Sequence, residues 1–375
     1  MNQKKILLSP PHMGGTEQAY IAQAFQDNWI APVGPHIDLF ENRLANYIDK
    51  NIHVAALQSG TAAIHLGLQL LGVKRGDEVL CQSLTFIASV NPVLYLGAKP
   101  VFIGSEKDTW NMCPVALEEA IQNRLENGVQ PKAILIVHLY GMPAKMDIII
   151  AISKKYNIPI LEDAAEALGS TYQGKSCGTF GTFGILSFNG NKIITTSGGG
   201  ALITHSEDYK KQAIFLATQA KEDAVHYEHK QMGYNYRMSN IAASIGLGQL
   251  EVLKENIQLR KQNHLFYKQL FENFSEVTLH HEPNEDFISN HWLNVIQLDS
   301  YEQREALRLH LESFNIESRP VWKPMHLQPL FQDSLYFGND LTNKLFDNGL
   351  CLPSGSNLLE EDLTRIKEAL ISFFN

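Results

Sequence analysis

Between residues 54 and 204, short apolar runs rich in β-branched side chains alternate with longer stretches whose apolar positions recur every three or four residues. The short runs at 54–57, 78–81, 100–103, 133–139, 158–162, 184–188 and 200–204 predict strands. The stretches 61–71, 87–96, 114–122 and 145–156 predict helices between them. Strands apolar on both faces and separated by helices form a mainly parallel, doubly wound sheet, because each parallel crossover needs a helix that covers one face. Beyond residue 239 the texture changes: 241–274 is helical, mixed short elements follow, and a terminal helix is expected near 360–373. The chain therefore divides into a large α/β domain, 1–245, and a smaller α+β domain, 246–375, with the boundary inside a long helix. Domains of ~100 to 200 residues are the common size, so a chain of 375 residues holds both comfortably.

Composition narrows the function. Lys and Arg total 31 against 40 Asp and Glu, a net charge of −9 with no clustered basic run, so no nucleic-acid partner is expected. Cys81, Cys113, Cys177 and Cys351 lie far apart and form no C-x-x-C pair, so neither a zinc knuckle nor a disulfide framework is indicated. The apolar residues 6–8 are stopped by Ser9-Pro10-Pro11, too short for a signal peptide, and no run approaches the ~18 apolar residues of a membrane span. A cytoplasmic protein without a membrane partner is expected. His226, Glu228 and His229 have the spacing of metal ligands but no evident third partner, and no metal site is expected.

In open α/β sheets ligands gather beyond the carboxyl ends of the strands. After the first strand, Ser59-Gly60-Thr61 opens a helix, whose unpaired N–H groups and adjacent hydroxyl suit a phosphate; Thr61 as a plain helix cap is the competing account. After the fifth strand comes Asp163, and a carboxylate at a buried strand end calls for a cation. The ring nitrogen of pyridoxal phosphate is such a cation, a salt bridge or helix cap being the plainer alternative. After the sixth, Asn189-Gly190-Asn191-Lys192 leads into Thr195-Thr196-Ser197-Gly198-Gly199-Gly200. A lysine desolvated there becomes a nucleophile toward aldehydes, whereas most lysines merely extend to solvent. Phosphate cup, ring-nitrogen partner and imine-forming amine are the three handles by which a protein holds pyridoxal phosphate. No G-x-G-x-x-G follows the first strand, so a nicotinamide dehydrogenase has nothing to hold its pyrophosphate.

With these residues in view, the chain resembles the sugar aminotransferases of the DegT/DnrJ/EryC1/StrS family nearly end to end. The likeness runs through Ser9-Pro10-Pro11-His12-Met13-Gly14-Gly15, Trp29-Ile30-Ala31-Pro32-Val33-Gly34-Pro35, Thr85-Phe86-Ile87-Ala88-Ser89 and Glu162-Asp163-Ala164-Ala165-Glu166. It continues through Ser187-Phe188-Asn189-Gly190-Asn191-Lys192, Gly233-Tyr234-Asn235-Tyr236-Arg237, Arg319-Pro320-Val321-Trp322-Lys323-Pro324-Met325-His326 and Cys351-Leu352-Pro353-Ser354-Gly355.

The resemblance implies an aspartate-aminotransferase-type (type I) pyridoxal phosphate fold with a mainly parallel seven-stranded sheet, and a homodimer whose subunits share each active site. It makes Lys192 the imine lysine and catalytic proton carrier, and Asp163 the partner of the ring nitrogen. Gly60, Thr61 and Ser187 would bind phosphate, Phe86 would stack on the ring, and Glu166 would lie near the phenolic oxygen. Asn235 would reach the phosphate from the partner subunit. Trp29, Ile30, Asn189, Trp322, Lys323 and His326 fall in segments assigned to the sugar.

The segments 8–15, 188–200 and His226-Tyr227-Glu228-His229 resemble more closely bacterial transaminases that form UDP-4-amino-4,6-dideoxy-N-acetylglucosamine on the bacillosamine route, which implies glutamate as donor and the C4 ketone of a UDP-linked 6-deoxy-N-acetylhexosamine as acceptor. A dTDP- or GDP-linked keto-sugar, amination at C3, and a cofactor-binding regulator without turnover are the alternatives. Arg237 and Arg319 are both available to clamp the donor's carboxylate, and neither is assigned, ordinary ion pairs being the plainer account of each.

Overall fold

Every apolar run predicted as a strand forms one, within two residues of its expected start. A computed structural model describes residues 4–375, so residues 1–3 of the expected large domain lie outside the described residues. The strands are β1 His53–Leu57, β2 Glu78–Gln82, β3 Lys99–Ile103, β4 Ala133–Val137, β5 Ile160–Asp163, β6 Phe183–Ser187 and β7 Gly200–Thr204. Their order across the sheet is β1-β7-β6-β5-β4-β2-β3. β7 is antiparallel to both neighbours, and the remaining pairings are parallel. Both faces are covered: Leu57, Leu135, Leu161 and Phe183 face one apolar layer, while Leu80, Ile103, Ile134 and Ile136 face another.

The seven-stranded expectation needs correction. An eighth strand, Tyr336–Phe337, adds to the free edge of β3, opposite Phe102 and Ile103. Two residues carry no periodicity to detect, and their place is set by the C-terminal part of the chain reaching back to cover an edge that would otherwise expose unpaired backbone groups.

The helix expected over 87–96 is also broken. Ile87–Ser89 is a single 3-10 turn and Asn91–Tyr95 a separate short helix. Pro92, which lacks an N–H, fits only in the first turn of the second. Helices Glu17–Gln26, Pro35–Ile48 and Glu207–Ala217 were not anticipated.

Helix Asn240–Phe271 runs 32 residues without interruption. Its N-terminal half packs on Glu17–Gln26 and Pro35–Ile48. A Cβ at Gly246 would come within 2.6 Å of the Phe40 ring, so only glycine permits that approach. Its C-terminal half carries Tyr267 and Leu270 into a second core with Ile296, Leu307, Leu311, Leu350 and Ile366. That core lies against an antiparallel sheet of Thr278–Leu279, Asn294–Gln297, Gly349–Leu352 and Arg319–Pro320. Ile6 packs there too, bridged to Ile316, so the beginning of the chain is fastened to its C-terminal part. No helix among the described residues is long and apolar enough to cross a membrane.

Candidate active site

A cavity of about 360 Å³ opens beyond the carboxyl ends of β1, β5 and β6, lined by Gly60, Thr61, Phe86, Ser89, Asp163, Glu166, Ser187, Asn189, Lys192, Trp292 and Trp322 among others. At one end is the start of helix Gly60–Leu70. Ser59, not Thr61, caps it, its side chain accepting from the Ala62 N–H at 3.0 Å. Thr61 is thereby relieved of capping duty. Its hydroxyl and that of Ser187 line the cavity without a protein hydrogen-bond partner among the described residues. A Cβ on Gly60 would sit 3.2 Å from the Ser187 Cβ, so the absence of a side chain lets the two strand ends close into one cup. The first N–H groups of a helix have no partner within it and attract an anion.

Asp163 ends β5 and is buried. Its Oδ2 accepts from the Ser89 hydroxyl at 2.6 Å and its Oδ1 from the Ala165 N–H at 3.1 Å. Both oxygens keep lone-pair capacity toward the cavity, as a cationic ring nitrogen requires.

Lys192 is held by what surrounds Asn191. The Asn191 carbonyl accepts from Ser9 Oγ at 2.9 Å and from the Trp292 indole N–H at 2.7 Å. The Lys192 amine then lies 4.2 Å from the centre of the Trp292 ring and 3.5 Å from Glu166 Oε1. Glu166 also accepts from the Tyr140 N–H at 2.6 Å, and Tyr140 holds a left-handed backbone at φ 55° to deliver it. Burial pushes the Glu166 carboxyl up to about 7; the Lys192 ammonium opposes that rise and the Asp163 charge adds to it. A proton-accepting carboxylate, a lysine amine and a buried acid thus share one enclosure, the condition for moving a proton at a single carbon. Phe86 and Trp322, with ring centres 5.4 Å apart, form the opposite wall. The donors fit pyridoxal phosphate: hydroxyls and a helix terminus for its phosphate, Asp163 for its ring nitrogen, Lys192 for its aldehyde. The bound group supplies an electron sink for the carbon that carries the amine.

Other expected residues do not line this cavity. Trp29 and Ile30 are exposed on the surface, as are Asn235 and Lys323. His326 is turned inward: Ser83 Oγ lies 2.6 Å from one ring nitrogen, Asn343 Oδ1 3.0 Å from the other, and the ring stacks on Tyr336 at 3.8 Å. Both nitrogens are therefore engaged by the protein. Arg237 pairs with Glu41 and Arg319 with Glu317.

Sequence reasoning missed Trp292 and Ser89. Trp292 lies far from every strand end read as a ligand site, and its only signal was a tryptophan following the polar run Ser289-Asn290-His291. Ser89 sat inside a quoted motif without a role.

A group of possible metal ligands lies outside the cavity: His264, Glu282 and His291 bring one ligand atom each within 4.8 Å of one another. The two imidazoles stack at 3.9 Å and 15°, so their lone pairs run side by side instead of converging. Glu282 takes His291 Nε2 at 3.1 Å and Asn294 takes His264 Nδ1 at 2.8 Å. Burial above all, with His291 beside it, holds His264 down at about 4, and burial holds His280 at about 3. His226 and Glu228 touch at 3.3 Å on the surface, while His229 turns to the Gln219 carbonyl.

Comparison with known proteins agrees with this geometry. The profile of the DegT/DnrJ/EryC1/StrS aminotransferase family matches residues 11–371. A Bacillus subtilis protein, EpsN, named as a pyridoxal phosphate-dependent aminotransferase, is 50% identical over 99% of this chain and 96% of its own length. The GDP-perosamine synthase of Escherichia coli O157:H7 is 36% identical over 99% of each. Among solved structures, the sugar aminotransferase Spr1654 of Streptococcus pneumoniae in its pyridoxal phosphate form superposes with a TM-score of 0.88 at 28% identity, covering 99% of this chain and 98% of that one. Sheet, cavity and these matches lead to one conclusion: the chain belongs to the DegT/DnrJ/EryC1/StrS aminotransferase family and is a pyridoxal phosphate-dependent sugar aminotransferase.

Proposed function

We propose that the enzyme transfers the amino group of L-glutamate to C4 of a UDP-linked 4-keto-6-deoxy-N-acetylhexosamine, giving a UDP-4-amino-4,6-dideoxy sugar and 2-oxoglutarate. The observation that carries the transfer chemistry is the enclosure of the Lys192 amine with Asp163 and the phosphate cup in a single cavity. Lys192 is the group that takes the proton from the donor's α-carbon and returns it during each half of the cycle. The choice of UDP-sugar and C4 rests on the sequence likeness in 8–15, 188–200 and 226–229. A GDP-linked keto-sugar is the second reading, favoured by the relative named as a GDP-perosamine synthase.

Shared active sites in a cytoplasmic homodimer belong to the same proposal. Asn235 is exposed and off the cavity of its own chain, with its backbone bridged to Thr218, which suits a residue acting on a second subunit's phosphate cup. The assignment of Gly60, Thr61, Ser187, Phe86, Asp163, Glu166 and Lys192 to cofactor, and of Asn189 and Trp322 to sugar, is supported by their common cavity. For Trp29, Ile30 and Lys323, exposed apolar or cationic surface fits a role only once a second subunit encloses them.

Purified enzyme given glutamate and a panel of UDP-, GDP- and dTDP-keto-sugars is the test. The UDP-4-keto-6-deoxy-N-acetylhexosamine should show the highest kcat/KM, and parallel lines in initial-rate plots should mark two separate half-reactions at one site. A faster GDP-sugar would replace the substrate, and a chain sedimenting as a monomer at full activity would remove the shared site.

A further inference from the structure

The turn that carries Phe86 also carries a hydroxyl relay behind Asp163. Ser89 Oγ donates to Asp163 Oδ2 at 2.6 Å, and Thr85 Oγ1 lies 2.7 Å from Ser89 Oγ. Thr85, Ser89 and Asp163 are all nearly solvent-free, at 0%, 2% and 5% exposure. A hydroxyl has one proton to give. Ser89 spends its proton on the carboxylate, so Thr85 must donate to Ser89, and among the described residues no other acceptor is recorded for it. The direction Thr85 to Ser89 to Asp163 follows from counting protons.

Two features of the chain exist to hold this arrangement. Ser89 closes the 3-10 turn Ile87–Ser89, its N–H donating to the Phe86 carbonyl at 3.1 Å, and Pro92 stops that turn from continuing as one helix. An uninterrupted helix would rotate the residue at 89 to a different azimuth. The same three-residue turn therefore fixes the Phe86 ring on the cavity wall and the Ser89 hydroxyl on the carboxylate.

We propose that Ser89, supplied by Thr85, is a positioning residue that sets the orientation of the Asp163 carboxylate and through it the strength with which the enzyme holds the cofactor's ring nitrogen. The proposal rests on the cofactor assignment above and goes beyond it. With Oδ2 engaged by Ser89 and Oδ1 by Ala165, the carboxylate plane is fixed, and only its cavity-facing lone pairs are left for the ring. Without Ser89 the carboxylate would be free to turn about its last bond and would be left with one buried oxygen less well satisfied.

The test is spectroscopic as well as kinetic. Apoprotein of the wild type and of Ser89→Ala, Ser89→Thr and Thr85→Val is titrated with pyridoxal phosphate, and the visible band of each loaded protein is followed against pH. Ser89→Ala should weaken cofactor binding about tenfold, in line with loss of one charge-assisted hydrogen bond. It should move the midpoint of the band's pH titration by about half a unit or more and lower kcat with little change in KM. Ser89→Thr should restore all three, and Thr85→Val should shift them in the same direction by less. If Ser89→Ala matches the wild type in cofactor affinity and in titration midpoint, the relay has no such role. If Thr85→Val is the larger effect, the direction of donation is wrong. A wild-type protein that does not take up pyridoxal phosphate would instead overturn the cofactor assignment itself.

Discussion

The floor of the cavity and its rim were assembled by different means. Thr61, Asp163, Ser187 and Lys192 lie at or within a few residues of the ends of β1, β5 and β6, and the sheet register alone brings those ends together. Trp292 and Trp322 reach the same cavity from the C-terminal part of the chain, through contacts no short window of sequence encodes. Residues tied to the floor were predictable from their neighbours. On the rim, prediction reached Trp322 only by resemblance, missed Trp292 and assigned to the sugar His326, which lies outside this cavity with its ring nitrogens against Ser83 and Asn343.

If the floor does the chemistry, Lys192→Ala should lower kcat on the order of 10³-fold or more, since among the described residues no other amine lines the cavity. Amine transfer measured by product formation checks this, and near-normal turnover would dissolve the distinction between floor and rim. Asp163→Asn should cost on the order of 10²-fold in kcat with the cofactor still bound, because its charge matters as the reaction proceeds more than its shape.

The rim should declare itself first in stability. Trp292→Ala removes a buried indole, and urea denaturation should show a loss of about 3–5 kcal/mol. His326→Ala sharpens the contrast: it breaks contacts to Ser83 and Asn343, so roughly 1–2 kcal/mol of stability should go while KM for the keto-sugar changes less than about threefold. A tenfold rise in KM at unchanged stability would return His326 to the sugar pocket.

The last contrast concerns acid. His264 and His280 are held at about 4 and about 3 against an ordinary 6.5, so both are neutral in the fold and charge more easily when it opens. Their contribution is complete above about 6.5 and lost as pH falls through those lower values. Denaturation midpoints should fall between pH 6.5 and 4 in the wild type, and less steeply in His264→Asn; equal slopes would mean the histidines are not the cause.

Alternation of apolar strands with amphipathic helices determined the doubly wound sheet, because burial on both faces leaves no other pattern of side chains, and strand ends then determined where a ligand would sit. Ser59 against Thr61 as the helix cap was legible as to place but not as to role: both are hydroxyl residues, and only backbone geometry decides which one turns back. The single helix expected over 87–96 failed because the apolar spacing outweighed Pro92. The edge strand Tyr336–Phe337, the tryptophan under Lys192 and the inward turn of His326 were decided by tertiary structure alone, since each depends on segments distant in sequence meeting in space. Local propensity and periodicity act over a turn or a strand; a cavity closed from two sides is a property of the packed chain.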